Sequence, residues 1–211
     1  MARGLATMSE SDDDLRLVRR AAGGDAAAAG EALVRHRARL RRMVDARLDR
    51  RVRGRVDPSD VLQDGFADAL ARLPGYLADP RLPLFLWLRL VVGERLAKVH
   101  RDHLGAQARD AGREVSLYRG PMPAASSAAL AAHLLGKETS PTQAAVRAER
   151  LVRLQEALNA LDPLDREVLS LRHFEELTHA EAARVLDVGE AAAAKRYVRA
   201  LRRLKDVLNA L

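Results

Sequence analysis

Apolar residues recur along most of the chain at three- and four-residue steps, the spacing of one face of an α-helix. In the first half this pattern predicts a short helix over 14–22, a break at the GGD of 23–25, and a helix over 26–50. The apolar side of that second helix consists of Leu33, Leu40, Val44 and Leu48. A further apolar stripe follows at Leu62, Phe66, Ala69, Leu70, Leu73 and Leu77.

Helix-start signals fix where several of these elements begin. In the DPSD of 57–60, Asp57 is placed to act as N-cap, Pro58 occupies the first helical position, and Asp60 lies in the first turn. The PG of 74–75 predicts the end of this helix, and residues 78–83 a loop. A third long helix is predicted over 84–104, apolar at its start and cationic at its end.

The second half repeats these signals. Ser140 and Gln143 fit a capping box, and the stripe that follows consists of Leu151, Leu154, Leu158 and Leu161. Asp162 and Pro163 start the next helix, and Thr178 with Glu181 forms a second capping box ahead of a short helix over 179–186. The DVG of 187–189 predicts a turn, and a last helix runs from about Glu190 to the end of the chain.

These elements predict an all-α protein of two small helical domains joined by a linker. We divide the chain into a flexible tail over 1–14, a first domain over 15–104, a linker over 105–142 and a second domain over 143–211. The linker is assigned from its loose, proline- and glycine-containing composition, with a short alanine-rich helix predicted at 124–135. The sequence contains no run of β-branched residues that would predict a β-strand.

Composition adds a charge argument. The chain of 211 residues has a formal net charge of +7, which favours a polyanionic partner such as nucleic acid. A bias toward arginine and alanine from a GC-rich genome is the alternative explanation. The chain has no cysteine, so disulfides and thiolate chemistry are excluded. No apolar run is long enough for a membrane anchor, and we expect a cytoplasmic protein that does not bind a membrane.

The last two predicted helices match a helix-turn-helix, in which the second helix enters the DNA major groove. Small alanines at 191–194 allow close approach of the backbone, and residues 195–206 carry six basic residues against one acid. The residues expected to pack inward are Ala193, Tyr197, Ala200 or Leu201, Leu204 and Leu208, against Ala182, Ala183 and Leu186. The alternative is a solvated basic helix that closes a small bundle.

On these motifs the chain resembles bacterial RNA polymerase sigma factors of the extracytoplasmic-function type. Residues 157–205 are similar to the family's region four, with its REVL-x-LR-x-FE segment at 166–175. DPSDVLQDGF is similar to region two, and the segment from Leu84 to His103 lies where the family has its promoter-melting helix. The chain departs from the family pattern at Val92, Gly93 and Glu94, where Arg-Asn is common, and at Ala194, where lysine is usual.

The resemblance implies a factor that directs core polymerase to promoters and promotes DNA melting, and that is not an enzyme. Its implied partners are the polymerase core, through the β′ clamp helices and the β flap, promoter DNA, and an anti-sigma factor as a further candidate. The candidate polymerase contacts are Asp60, Gln63 and Asp64. The candidate DNA contacts are Trp87, Arg89, Lys98 and Arg101 at the minus-ten element and Ala192, Lys195, Arg196, Arg199 and Arg203 at the minus-thirty-five element.

Several of these roles have structural alternatives. Trp87 either stacks at the melted DNA edge or anchors the core beside Leu84 and Leu88, and core packing is the commoner role of a lone tryptophan in an apolar run. Asp60 is either a polymerase contact or only a helix-start charge. The linker either threads past the polymerase active site or is a spacer.

The sequence assigns no cofactor, metal or catalytic set. His100 and His103 have the spacing of half a zinc site, but no further ligand stands at a suitable spacing. No glycine-rich phosphate loop and no nucleophile–base pair is found. A stand-alone transcriptional regulator and a helical adaptor without a DNA role are the alternatives to the sigma factor, and dependence on core polymerase discriminates between them.

Overall fold

A computed structural model of the chain describes residues 2–104, 122–136 and 144–209, and these are helical throughout apart from turns and connections. This confirms the all-α prediction. The first domain contains α1 (Ala2–Ala22), α2 (Ala26–Arg47), α3 (Pro58–Ala78) and α4 (Leu84–Leu104). The linker and second domain contain α5 (Ser127–Leu134), α6 (Ala144–Asn159), α7 (Pro163–His173), α8 (His179–Leu186) and α9 (Glu190–Asn209).

The predicted helix starts are confirmed by their hydrogen bonds. The side chains of Asp57 and Asp162 accept from the backbone N–H groups two residues ahead, at 2.6 and 2.9 Å. Thr178 forms the complete capping box, since its hydroxyl accepts from the N–H of Glu181 and the Glu181 carboxylate accepts from the N–H of Thr178. The expected cap at Ser140 lies outside the described residues.

Two helix ends differ from the prediction by a full turn or more. The first helix begins at Ala2 rather than near residue 14, so the segment expected to be a flexible tail is helical from residue 2. This segment contains no proline, which leaves its helical hydrogen bonds uninterrupted. Helix α3 continues through Pro74 to Ala78. Its last turn is fixed by Tyr76, which stacks on Trp87 with ring centroids 4.4 Å apart and donates its hydroxyl to the carbonyl of Leu82 at 2.9 Å.

The two domains pack against each other, and apolar clusters cross the boundary between them. Leu171 of α7 and Leu177 of the following turn belong to the cluster that contains the α2, α3 and α4 core. Conversely, Ala46 of α2 belongs to the cluster built around Leu154 and Leu158 of α6. The described part of the linker takes part in this packing and is therefore not a free spacer.

The linker is anchored where Met122 enters a notch in α4. The notch exists because position 93 is glycine, and a Cβ there would come closer to the Met122 thioether than van der Waals contact allows. Ser126 donates its N–H to the carbonyl of Ala46 at 2.8 Å, and its hydroxyl caps α5. Gly93, a departure from the family pattern in the sequence, thus has a packing reason.

Candidate nucleic-acid interface

The candidate nucleic-acid interface is built on the turn between α8 and α9. Asp187 ends α8 in the left-handed conformation, with φ of 54°, and α9 begins three residues later at Glu190. Ala193, Ala200 and Leu204 of α9 are buried and face the rest of the domain. This confirms the predicted inward side of α9 at these positions, while the Leu208 side chain lies outside the described residues.

The outward side of α9 is cationic. It forms a shallow groove lined by Ala194, Lys195, Val198, Arg199, Arg202, Arg203 and Asp206. Ala192, Lys195 and Arg203, which the sequence proposed as DNA contacts, are all exposed. Because five of the seven lining residues are charged and four of those are basic, this surface suits a phosphate backbone.

Arg196 and Arg199 are held by a carboxylate of α7. Arg199 donates two hydrogen bonds to the Asp165 carboxylate, both at 2.6 Å, and Arg196 donates one at 2.8 Å. Burial alone would raise the pKa of Asp165, but the hydrogen bonds from Arg199 and Arg196 lower that pKa below its ordinary value. Arg196 is the less exposed of the two, and a second acid, Asp162, lies 3.2 Å from its Nη1. Asp165 thus positions both arginines, a role that sequence reasoning missed.

In the first domain, the proposed DNA contacts divide into exposed and enclosed residues. Lys98 and Arg101 are exposed on the last turns of α4. Trp87 is half-buried and stacks on Tyr76. Its ring therefore packs at the edge of the hydrophobic core, which is the alternative to a DNA-stacking role. Arg89, predicted to contact DNA at the minus-ten element, is instead fully buried.

Arg89 belongs to a buried ionic cluster with Arg47, Glu167 and Glu175. Its Nε donates to one Glu175 oxygen at 2.5 Å, and Arg47 Nη2 donates to the other at 2.5 Å. Arg47 Nη2 also donates to Glu167 at 2.7 Å. The two terminal nitrogens of Arg89 have no hydrogen-bond partner among the described residues. Two positive and two negative groups therefore neutralise each other across the domain boundary.

Burial and pairing act in opposite directions on this cluster. Burial alone would raise the pKa of the Glu175 carboxyl, but the charges of Arg89 and Arg47 outweigh it and lower that pKa to about 2. The Arg47 pKa is raised, although burial alone would lower it, because Glu167 and Glu175 stabilise its positive charge. These pKa shifts keep both Glu175 and Arg47 ionised at neutral pH. The sequence carried a signal for it, since Arg89 interrupts an apolar run and Arg47 continues the apolar stripe of α2 three residues after Val44.

The cluster predicts an acid-dependent stability. The folded-state pKa of Glu175 is about 2 and its ordinary value is 4.5, so the unfolded chain takes up the proton first as pH falls. The stability due to the ionised carboxylate is complete above about pH 4.5 and is lost progressively toward pH 2. We expect urea-unfolding free energies to fall over this window. In Glu175→Gln the slope is expected to be shallower by up to about 1.4 kcal/mol per pH unit, and an unchanged slope would contradict this assignment.

The candidate polymerase contacts lie together on one exposed side of α3. Asp60, Gln63 and Asp64 are all exposed, and Asp64 forms an ion pair with Arg95 of α4. Within the described ranges no three histidine, aspartate or glutamate side chains come close enough to hold a metal ion. In the same ranges, no helix combines the length and apolarity that a membrane crossing requires.

Comparison with known proteins agrees with this geometry. Residues 151–204 match the family model described as Sigma-70, region 4. The fold is similar to that of CnrH in a solved structure titled as CnrH in complex with the cytosolic domain of CnrY. That match has a TM-score of 0.54 and 26% sequence identity, and it covers 94% of this chain and 99% of the CnrH chain. No curated protein sequence matches the chain.

Proposed function

We propose that this chain, a sigma factor of the extracytoplasmic-function type, directs core RNA polymerase to specific promoters and promotes DNA melting there. The observation that carries the proposal is the helix-turn-helix of α8 and α9, which lies within the matched residues 151–204 and presents a basic outward side. A role in transcription follows from the family.

We propose that α9 reads the minus-thirty-five element. Exposed Ala192 lies near its N-terminus, where a methyl group can contact base edges in the major groove. Lys195, Arg199 and Arg203 extend from the outward side and would bind phosphates that fix the register of the helix. Arg196 would contribute by supporting Arg199 through their shared carboxylate, Asp165.

We propose that α4 meets the minus-ten element and α3 meets the polymerase. Lys98 and Arg101 are exposed cations suited to a strand backbone. The half-buried Trp87 has one ring face on Tyr76, and unstacking this pair would free an aromatic surface for a melted base. On α3, Asp60, Gln63 and Asp64 offer an acidic and polar surface to the β′ clamp helices, and the second domain would meet the β flap.

We further propose that a second protein controls this factor. The structural neighbour CnrH was solved in complex with a second protein, the cytosolic domain of CnrY. A comparable partner would hold the present chain away from polymerase by covering surfaces on either domain.

The proposal is tested by transcription in vitro with purified core polymerase, followed by mapping of the RNA start sites. We expect new start sites that depend on both the chain and the core enzyme. Weak DNA binding by the chain alone is expected as well, since a sigma factor acts within the holoenzyme. Tight and specific DNA binding without polymerase would instead indicate a stand-alone regulator. Failure to join the core enzyme would contradict the proposal altogether.

A further inference from the structure

Four arginines of the first domain surround one acidic turn of the second. Arg39, Arg42 and Arg47 lie on α2 and Arg89 lies on α4; we call these four residues the arginine cradle. They contact residues 174–176, which we call the acidic turn because it carries Glu175 and Glu176. Arg42 Nε donates to the carbonyl of Phe174 at 2.9 Å, and Arg39 Nε donates to that of Glu175 at 3.0 Å.

The arginines of the cradle take their negatively charged partners from the second domain. Within the described residues, the ion-pair partners of Arg42, Arg47 and Arg89 are Glu176, Glu167 and Glu175, all of which lie on α7 or the acidic turn. If the second domain moves away, these guanidinium groups lose their counterions together. Two of them, Arg47 and Arg89, are fully buried in the closed arrangement. The opened first domain would therefore present a concentrated positive site.

The chemistry of the cradle suits phosphate as well as carboxylate. A guanidinium group presents a planar fork of N–H donors that matches either oxyanion in a bidentate manner. The terminal nitrogens of Arg89 have no partner among the described residues, so the acidic turn leaves donor capacity unused. A phosphate offers more acceptor oxygens than the Glu175 carboxylate and would use that capacity.

We propose that the arginine cradle is a binding site for nucleic-acid phosphates and that the acidic turn is a built-in competitor for it. This inference rests on the proposed function, which brings promoter DNA to the first domain. In the closed chain the Glu175 carboxylate occupies the place of a phosphate. DNA binding at the cradle therefore requires the second domain to leave, and the linker anchor at Met122 and Gly93 must follow, because Pro123 accepts from Arg47 Nη1 at 2.9 Å.

The test uses the full chain without polymerase. Since the chain has no cysteine, Val34→Cys and Val152→Cys place two dyes on exposed sites of the first and second domains, at 68% and 57% exposure. Energy transfer between the dyes reports opening, and a fluorescein-labelled single-stranded DNA of mixed sequence reports binding. We expect Glu175→Gln to lower energy transfer and to raise DNA affinity about tenfold, because the competitor is lost. The log–log salt slope is expected to steepen by about 1 to 2.

The matched control is Glu149→Gln, which makes the same charge change in an exposed pair with Arg153 on α6. It is expected to change neither energy transfer nor the salt slope. If Glu175→Gln fails to fold, Glu176→Arg, at an exposed position beside Arg42, is used with Glu149→Arg as its control. Opening without a gain in DNA affinity over the control would overturn the phosphate site. A chain that stays closed would overturn the competition.

Failure of this inference is distinguishable from failure of the proposed function. A chain that supports promoter-dependent transcription with core polymerase but shows no coupling between opening and DNA affinity would retain its function and lose the cradle proposal. An opened variant that gains affinity for the core polymerase but not for DNA would identify the cradle as a protein-binding surface, which also overturns the proposal.

Discussion

Arg47→Met is expected to destabilise the protein by about 3 to 5 kcal/mol, the cost of removing one partner from a buried ion pair. Arg47 bridges Glu167 and Glu175 with all three side chains almost completely enclosed. Methionine restores much of the lost volume, so the deficit is mainly electrostatic. The substitution removes the Arg47 cation from both carboxylates, while Glu175 keeps its ion pair with Arg89. Urea unfolding followed by circular dichroism measures the loss.

The control for this prediction is Arg37→Met, an exposed arginine of the same helix. It is expected to change stability by less than about 0.5 kcal/mol. A double-mutant cycle with Glu175→Gln isolates the pair, and we expect a coupling energy of about 1 to 3 kcal/mol. Equal losses for the Arg37 and Arg47 variants would mean that the cluster does not contribute to folding.

Replacing Lys195, Arg202 and Arg203 together by alanine is expected to weaken binding of the holoenzyme to promoter DNA about 10- to 100-fold at low salt. These residues lie on the outward groove of α9, and the structure shows no ion pair for them among the described residues. If each contacts one phosphate, the log–log salt slope should become shallower by about 2 to 3. Fluorescence anisotropy with a salt titration measures both quantities.

A charge-matched control separates location from net charge. Arg19, Arg37 and Arg50 are exposed on elements other than α9, and their triple replacement by alanine removes the same number of positive charges. We expect that variant to keep the promoter affinity within about threefold of the original, since charges beyond a Debye length are screened. If both triple variants lose affinity equally, α9 would have no special role in DNA contact.

The local parts of the fold were predictable because their determinants are close in sequence. The caps at Asp57, Asp162 and Thr178 each involve groups no more than three residues apart, and all were read correctly. Helix α5 was likewise predicted from the short alanine-rich segment behind Ser126. The buried side of α9 followed from its periodicity, which any helix packed on one side must show.

The parts that escaped prediction depend on distant partners. A single arginine in an apolar segment does not reveal its own ion-pair partner. The partner of Arg89 is Glu175, which lies 86 residues away in the sequence. Helix α3 continues past Pro74 because Tyr76 holds its last turn. Tyr76 does so through contacts with Trp87 and Leu82, which follow the end of α3 in the sequence. The assignment of Arg196 as a DNA contact could not anticipate Asp165, because helix periodicity does not reveal which face of α7 meets α9.

The seat of Met122 against Gly93 couples the residues at positions 93 and 122. Any side chain at position 93 intrudes on the space that the methionine tip occupies. A substitution there is tolerable only when residue 122 becomes shorter or withdraws. A larger residue at position 93 should therefore be accompanied by a smaller residue at position 122 or by a displaced methionine tip, which would loosen the attachment of the linker to α4.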